Sequence, residues 1–287
     1  MTKATAVVLV SVAALGIVLG SVLYGLKSET VDGLWFWVWR LTSSKAHGGQ
    51  YVRVNGIRLY YETYGRGRPV LVLHGGTGAL EDMHYQITAL AAKRFVIAPD
   101  SRGHGLSSDS DVPLSYRLMA DDMLTLLTLL KIDTVDIVGW SDGGIIGLEL
   151  AIHHPERVRR LVVIGANYDV NGLTHPPIVA DKPPRASWLY AHYAPDPAHW
   201  GILYSKVVTM WKTHPHYSLE ELAKINAPTL VVAGEFDVVR REHTDQLAKA
   251  IPRATEFIVR GTTHFAPVEK PRVINAQILD FLDEQSP

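Results

Sequence analysis

No cysteine occurs anywhere in the 287 residues. That absence excludes disulfides, zinc sites built on thiolates and a thiol nucleophile. It leaves the compartment undecided, because a large core needs no disulfides. An excess of either charge is also missing: 28 Lys and Arg stand against 29 Asp and Glu, for a formal net charge of −1. Such a balance gives no electrostatic reason to bind nucleic acid. Internal repeats and low-complexity tracts are lacking too. Hydrophobic residues, by contrast, make up 47% of the chain against 20% charged, enough for a sizeable core and against wholesale disorder. The length fits one large α/β domain plus an appendage.

The appendage lies at the start. Ala4 to Leu26 carries no charge and is bracketed by Lys3 and Lys27. Its 23 residues, at about 1.5 Å each, would span a hydrocarbon core of roughly 30 Å. The expectation is a transmembrane helix within residues 1–27 and a juxtamembrane linker over 28–50, holding the protein to a lipid bilayer as a single-pass anchor. The alternative is a cleaved signal peptide and a secreted or periplasmic domain. Signal peptides usually have an apolar stretch of only about 7–15 residues, and no convincing A-x-A site follows this run. Trp35-Phe36-Trp37-Val38-Trp39-Arg40 suits the headgroup level, and equally an amphipathic stretch packed on the domain. The few flanking Lys and Arg do not set an orientation. Gly16 and Gly20 form a small-xxx-small pair on which two such helices could associate, and the oligomeric state stays open.

From Tyr51 the texture changes. Residues 51–54 and 57–63 alternate around Asn55-Gly56, the signal of a two-residue hairpin. Short apolar runs at 70–73, 95–98, 135–138, 161–164, 229–233 and 256–259 read as buried strands. Segments of helical period lie at 80–92, 116–130, 143–154, 242–250 and 271–284. Strands buried on both faces and separated by helices predict an α/β fold over residues 51–287, a mostly parallel sheet with helices on both faces. One interval breaks the rhythm. Some sixty residues, rich in proline and aromatics, separate Ile164 from Thr229. Structureless loops of that length are uncommon, so residues 167–224 are expected to form a small helical lid over the active site.

Gly139-Trp140-Ser141-Asp142-Gly143-Gly144 follows one strand and opens the next helix. A G-x-S-x-G at a strand-to-helix turn is a nucleophile elbow. The turn strains the serine backbone and leaves room only for small neighbours at Gly139 and Gly143. It holds the hydroxyl at the carboxyl edge of the sheet, above a helix N-terminus that favours negative charge. Five residues alone are a weak signal; the strand–turn–helix context makes it specific.

A serine hydroxyl needs a base, and the base needs a carboxylate to orient it. Among 13 histidines, His264 stands on the loop between the last strand and the last helix. Asp237 follows the strand at 229–233, which places Ser141, Asp237 and His264 in the chain order such an elbow requires. Glu235 and Asp169 remain rivals for the acid. His74-Gly75-Gly76-Thr77-Gly78 follows the strand at 70–73, and its glycines let backbone N–H groups approach a substrate oxygen. The expected oxyanion hole is the N–H of Gly76 with that of Asp142. The spacing matches neither G-x-G-x-x-G nor a P-loop. Asp100-Ser101-Arg102-Gly103-His104-Gly105-Leu106-Ser107 reads as a tight turn pinned by hydrogen bonds of its Asp and Arg.

As a set, the elbow, His74–Gly78, Asp100–Ser107, Asp237 and Gly261-Thr262-Thr263-His264 resemble the α/β-hydrolase superfamily from about Tyr51 to the C-terminus. The elbow is similar to that of the valacyclovir hydrolase-like and enol-lactone hydrolase-like esterases. The resemblance implies a Ser141–Asp237–His264 triad, an acyl-enzyme, and neither metal nor cofactor. Sister dehalogenases and epoxide hydrolases carry Asp where this chain has Ser141, which puts their chemistries out of reach. The apolar N-terminal run departs from the common soluble members.

The expected activity is that of a serine esterase on a small-molecule carboxylic ester. Alternatives are another serine-triad hydrolysis, of a C–C bond, lactone or amide, or a hydrolase-fold ligand-binding protein with little turnover. The Asp142 side chain has two readings. In the first helical turn it gains roughly 0.3–1 kcal/mol from the macrodipole. Beside the acyl pocket it would repel substrate carboxylates and attract amines.

Overall fold

The computed structural model describes residues 49–175, 187, 190, 191 and 194–284. The expected transmembrane helix and nearly all of the expected linker lie outside the described residues. Among the described residues, no helix is long and apolar enough to cross a membrane.

β1 (Gln50–Val54) and β2 (Ile57–Tyr64) form an antiparallel hairpin, and the pairing of Val54 with Ile57 leaves Asn55-Gly56 as its turn. β2 also pairs antiparallel with β4 (Arg94–Pro99). β3 (Arg68–Leu73), β4, β5 (Val135–Trp140), β6 (Val158–Ile164), β7 (Thr229–Phe236) and β8 (Ala254–Thr263) run parallel. The sheet order is β1-β2-β4-β3-β5-β6-β7-β8.

The connecting helices are α1 (His84–Ala91), α2 (Tyr116–Leu129) and α3 (Asp142–His153), then α4 (Trp200–Thr213) and the short α5 (Leu219–Leu222). α6 (Arg241–Ala250), α7 (Ala266–Glu269) and α8 (Pro271–Asp283) complete the chain. α2 starts where the Ser115 side chain accepts a hydrogen bond from the N–H of Leu118, an N-cap.

The two-residue period of the strands sorts the core into two faces. Leu71, Leu73, Ile97, Ile137, Leu161 and Val163 cluster with Met119 and Met123 of α2 and Ile145 of α3. Their strand neighbours Val70, Val72, Val96, Val138 and Val162 are equally buried and point the other way, where α1 packs on β4 and α8 on α1. The expected two-sided α/β layering is thus present.

The structure departs from the sequence reading mainly at element ends. The segment at 80–92 begins as a 3₁₀ turn, Leu80–Met83, before α1. β7 and β8 continue past the apolar runs at 229–233 and 256–259, through exposed Glu235, Phe236, Arg260 and Gly261. Hydropathy marks only the buried part of a strand; here a bulge between Gly234 and Phe236 lets the pairing resume, with Phe236 opposite Thr263. In the interval 167–224, the described residues carry 3₁₀ turns, α4 and α5. Antiparallel bridges join Asp169 to His216 and Leu173 to Val239.

Candidate active site

β5 ends at Trp140, and Ser141 follows with φ 53° and ψ −119°, a conformation disfavoured for any residue with a side chain. Its N–H donates to the carbonyl of Ile164 at 2.8 Å, and its own carbonyl accepts from Ile145 N at 3.0 Å. The strained residue is therefore tied on both sides. A Cβ on Gly139 would lie 2.2 Å from Gly143 O, and one on Gly143 would lie 2.4 Å from Leu73 O. The elbow closes only with glycine at both positions.

Asp237 is the first residue beyond β7 and His264 the first beyond β8. The structure brings both to Ser141. His264 Nδ1–H donates to Asp237 Oδ1 at 2.8 Å, which leaves Nε2 as the acceptor for Ser141 Oγ–H at 3.0 Å. The Asp237 side chain is 2% exposed. Burial pushes its carboxyl up, but His264 and the N–H groups of Val239 and Gly234 outweigh burial and hold it below the ordinary carboxylate value. The rival acids are engaged elsewhere. Asp169 Oδ2 pairs with His216 Nδ1 at 2.8 Å, and Glu235 accepts from Gly261 N at 2.6 Å.

Beneath Asp237 and His264 lies Gly165, directly after β6, with φ 58°. A Cβ there would stand 3.0 Å from the His264 ring and 3.1 Å from Asp237 Oδ2. In the sequence Gly165 carries one signal of this role, its place directly after a buried apolar strand.

Asp142 is the first residue of α3, so the helix leaves its N–H unpaired. Its carboxylate is buried rather than turned to solvent. Oδ1 accepts from Tyr116 Oη and Trp211 Nε1, both at 2.9 Å, and Oδ2 is 3.0 Å from the same Nε1. Burial drives this carboxyl up to about 6, against the opposing pull of Trp211, Tyr116 and His264. A Cβ on Gly76 would lie 2.4 Å from Asp142 Oδ2 and 2.5 Å from the Trp211 ring, and one on Gly75 would lie 3.3 Å from Ser141 Cβ. The glycine loop thus packs directly against the elbow. The sequence gives no sign that Tyr116 and Trp211 meet Asp142, because nothing in local pattern links positions 26 and 69 residues away.

The Asp100–Ser107 turn is pinned as expected. Asp100 accepts from Leu80 N and Leu106 N, each at 2.8 Å, and Arg102 pairs with buried Asp122 at 2.7 Å. Among the described residues, no group of three or more His, Asp or Glu is placed to hold a metal ion.

The family model for the alpha/beta hydrolase fold matches residues 68–194. The chain is 30% identical to the putative carbamate hydrolase RutD of Azorhizobium caulinodans, over 83% of this chain and 98% of that one. It is 33% identical to the serine hydrolase BPHL of Homo sapiens, over 80% of this chain and 85% of that one. A solved structure of Est816, an N-acyl homoserine lactone degrading enzyme, superposes with TM-score 0.68 at 28% identity, over 81% of this chain and all of that one. The chain belongs to the α/β-hydrolase family, as a hydrolase.

Proposed function

We propose that the protein cleaves carboxylic esters with Ser141 as nucleophile, His264 as general base and Asp237 as its orienting acid. The observation that carries this reading is the continuous hydrogen-bonded chain from Ser141 Oγ through His264 to Asp237, with the 3.0 Å Oγ–Nε2 contact at its reacting end. His264 takes the proton as Oγ attacks the ester carbonyl. Asp237 holds the imidazole tautomer and stabilises the imidazolium. The N–H groups of Gly76 and Asp142 receive the developing oxyanion. His264 then protonates the leaving alcohol, and water, activated by the same base, releases the acid from the acyl-enzyme. The serine hydrolase and carbamate hydrolase relatives support hydrolytic attack at a carbonyl carbon.

The reading includes a membrane anchor, supported by the uncharged Ala4–Leu26 run. The deciding experiment is p-nitrophenol release from short acyl esters by the full-length protein in detergent. Sustained turnover that disappears in Ser141→Ala is the expected result. One equivalent released and no more would favour a ligand-binding protein instead.

A further inference from the structure

Ser141 follows β5 and His264 follows β8, with β6 and β7 between them in the sheet. Three inter-strand steps of about 4.8 Å separate those strands by roughly 14 Å. Yet His264 Nε2 lies 3.0 Å from Ser141 Oγ. The residue after β8 must therefore reach back across the carboxyl edge of the sheet and be held there.

Two groups outside the triad hold it. The N–H and hydroxyl of Thr263 both bond the Glu269 carboxylate, at 2.7 and 2.8 Å, which braces the loop against α7. Trp140, the residue immediately before the nucleophile, donates its indole Nε1–H to the carbonyl oxygen of His264 at 2.9 Å. Its ring lies 6.0 Å from the imidazole, centroid to centroid, and 5.5 Å from Phe265, which stands edge-on to it. Trp140 is the last residue of β5 and only 6% exposed, so the indole has little freedom of its own.

We infer that Trp140 is a positioning residue for the base, tying the His264 backbone to the strand that delivers the nucleophile. The inference rests on the reading of His264 as general base. Without this tie, the Oγ–Nε2 distance would be transmitted through β6, β7 and β8, and small shifts in each would add. The indole N–H matters more than ring bulk, because a hydrogen bond fixes the direction of the carbonyl it meets. An apolar ring of the same size would let the loop slide.

The experiment replaces Trp140 in the full-length protein with β-(3-benzothienyl)alanine, which keeps the bicyclic shape and loses the N–H; Trp140→Phe is made alongside. With p-nitrophenyl butyrate, kcat should fall about 10- to 100-fold, the range for displacing a reacting group by about 1 Å. KM should stay within about twofold, as ground-state binding is untouched. The downfield Nδ1–H proton resonance of His264 should broaden, since the ring no longer keeps one position. Wild-type kcat with an unchanged resonance in the benzothienyl variant would overturn the inference. So would a loss of kcat that merely matches a loss of folded protein by circular dichroism. Ser141→Ala separates the two readings. If that variant still turns over, the functional reading fails and this inference fails with it; if it is dead while the benzothienyl variant is normal, only the inference fails.

Discussion

Phe236 and Thr263 face each other in the last paired positions of β7 and β8, and the next residues along the two strands are Asp237 and His264. Asp237 and His264 are thus neighbours because two strands share a register. The bulge between Gly234 and Phe236 restores that register after the apolar part of each strand has ended. A displacement of one residue in either strand would turn Asp237 away from His264.

The proposed triad of Ser141, Asp237 and His264 predicts a particular pattern of losses. Ser141→Ala and His264→Ala should each lower kcat by several orders of magnitude, with the double variant scarcely worse. Asp237→Asn should cost about 10⁴ by leaving the wrong tautomer at His264. Near-normal activity in Asp237→Asn, with loss in Asp169→Asn or Glu235→Gln, would assign the acid elsewhere.

Gly165 offers a test of the geometry rather than the chemistry. Gly165→Ala places a methyl group against both His264 and Asp237. It should destabilise the fold by about 1–2 kcal/mol through its positive φ and lower kcat/KM about 100-fold through displacement of the pair. Gly56→Ala is the matching control, with φ 84° and no atom within 4 Å of the added Cβ. It should share the stability loss, read from thermal melts, and leave turnover at wild-type level.

Asp142 links stability to pH in the less common direction. Its folded carboxyl titrates at about 6, above its unfolded value, so the native state holds the proton more tightly. Stability should therefore be fuller below pH 4 and decline as pH rises through 6, by up to about 3 kcal/mol from this one group. Asp142→Asn should remove that decline in urea titrations at pH 4, 5, 6 and 7.

The same carboxylate, once ionised, should act on substrate charge. Above pH 6 the wild type should prefer neutral and aminoacyl esters over matched carboxyacyl esters by about 5- to 150-fold in kcat/KM, equivalent to roughly 1–3 kcal/mol. Asp142→Asn should compress that range. Equal changes on all three substrates would show that the side chain supports the helix and reads no charge.

The Ala4–Leu26 run predicts that full-length protein stays with membranes through carbonate extraction, while a chain beginning at Gly48 is soluble and active. A mature N-terminus beyond Ser21, found by N-terminal sequencing, would identify a cleaved signal peptide.

Strand periodicity, the Asn55-Gly56 turn and the glycines of the elbow were legible in the sequence because each depends on neighbours a few residues away. Backbone strain at Ser141 and the crowding at Gly139 and Gly143 are local consequences of one sharp turn, so the motif announces them. The strand-end positions of Ser141, Asp237 and His264 were readable for a related reason: each stands where an apolar strand gives way to a polar loop. The true ends of β7 and β8 were not, since their last residues are exposed and are held by pairing rather than by burial.

What only the tertiary structure decided is everything that depends on which strand ends lie together. Trp140 meets His264 across 124 residues, and Asp142 meets Trp211 across 69. Gly165 lies beneath Asp237 and His264, which follow two later strands. Sequence by itself determined the elements, the strained turn at Ser141 and the chemical groups at hand, because those follow from short-range sterics and burial. Their distances from one another followed from the sheet order, in which β6 and β7 come between the strand that ends before Ser141 and the one that ends before His264; no local pattern of residues encodes that order.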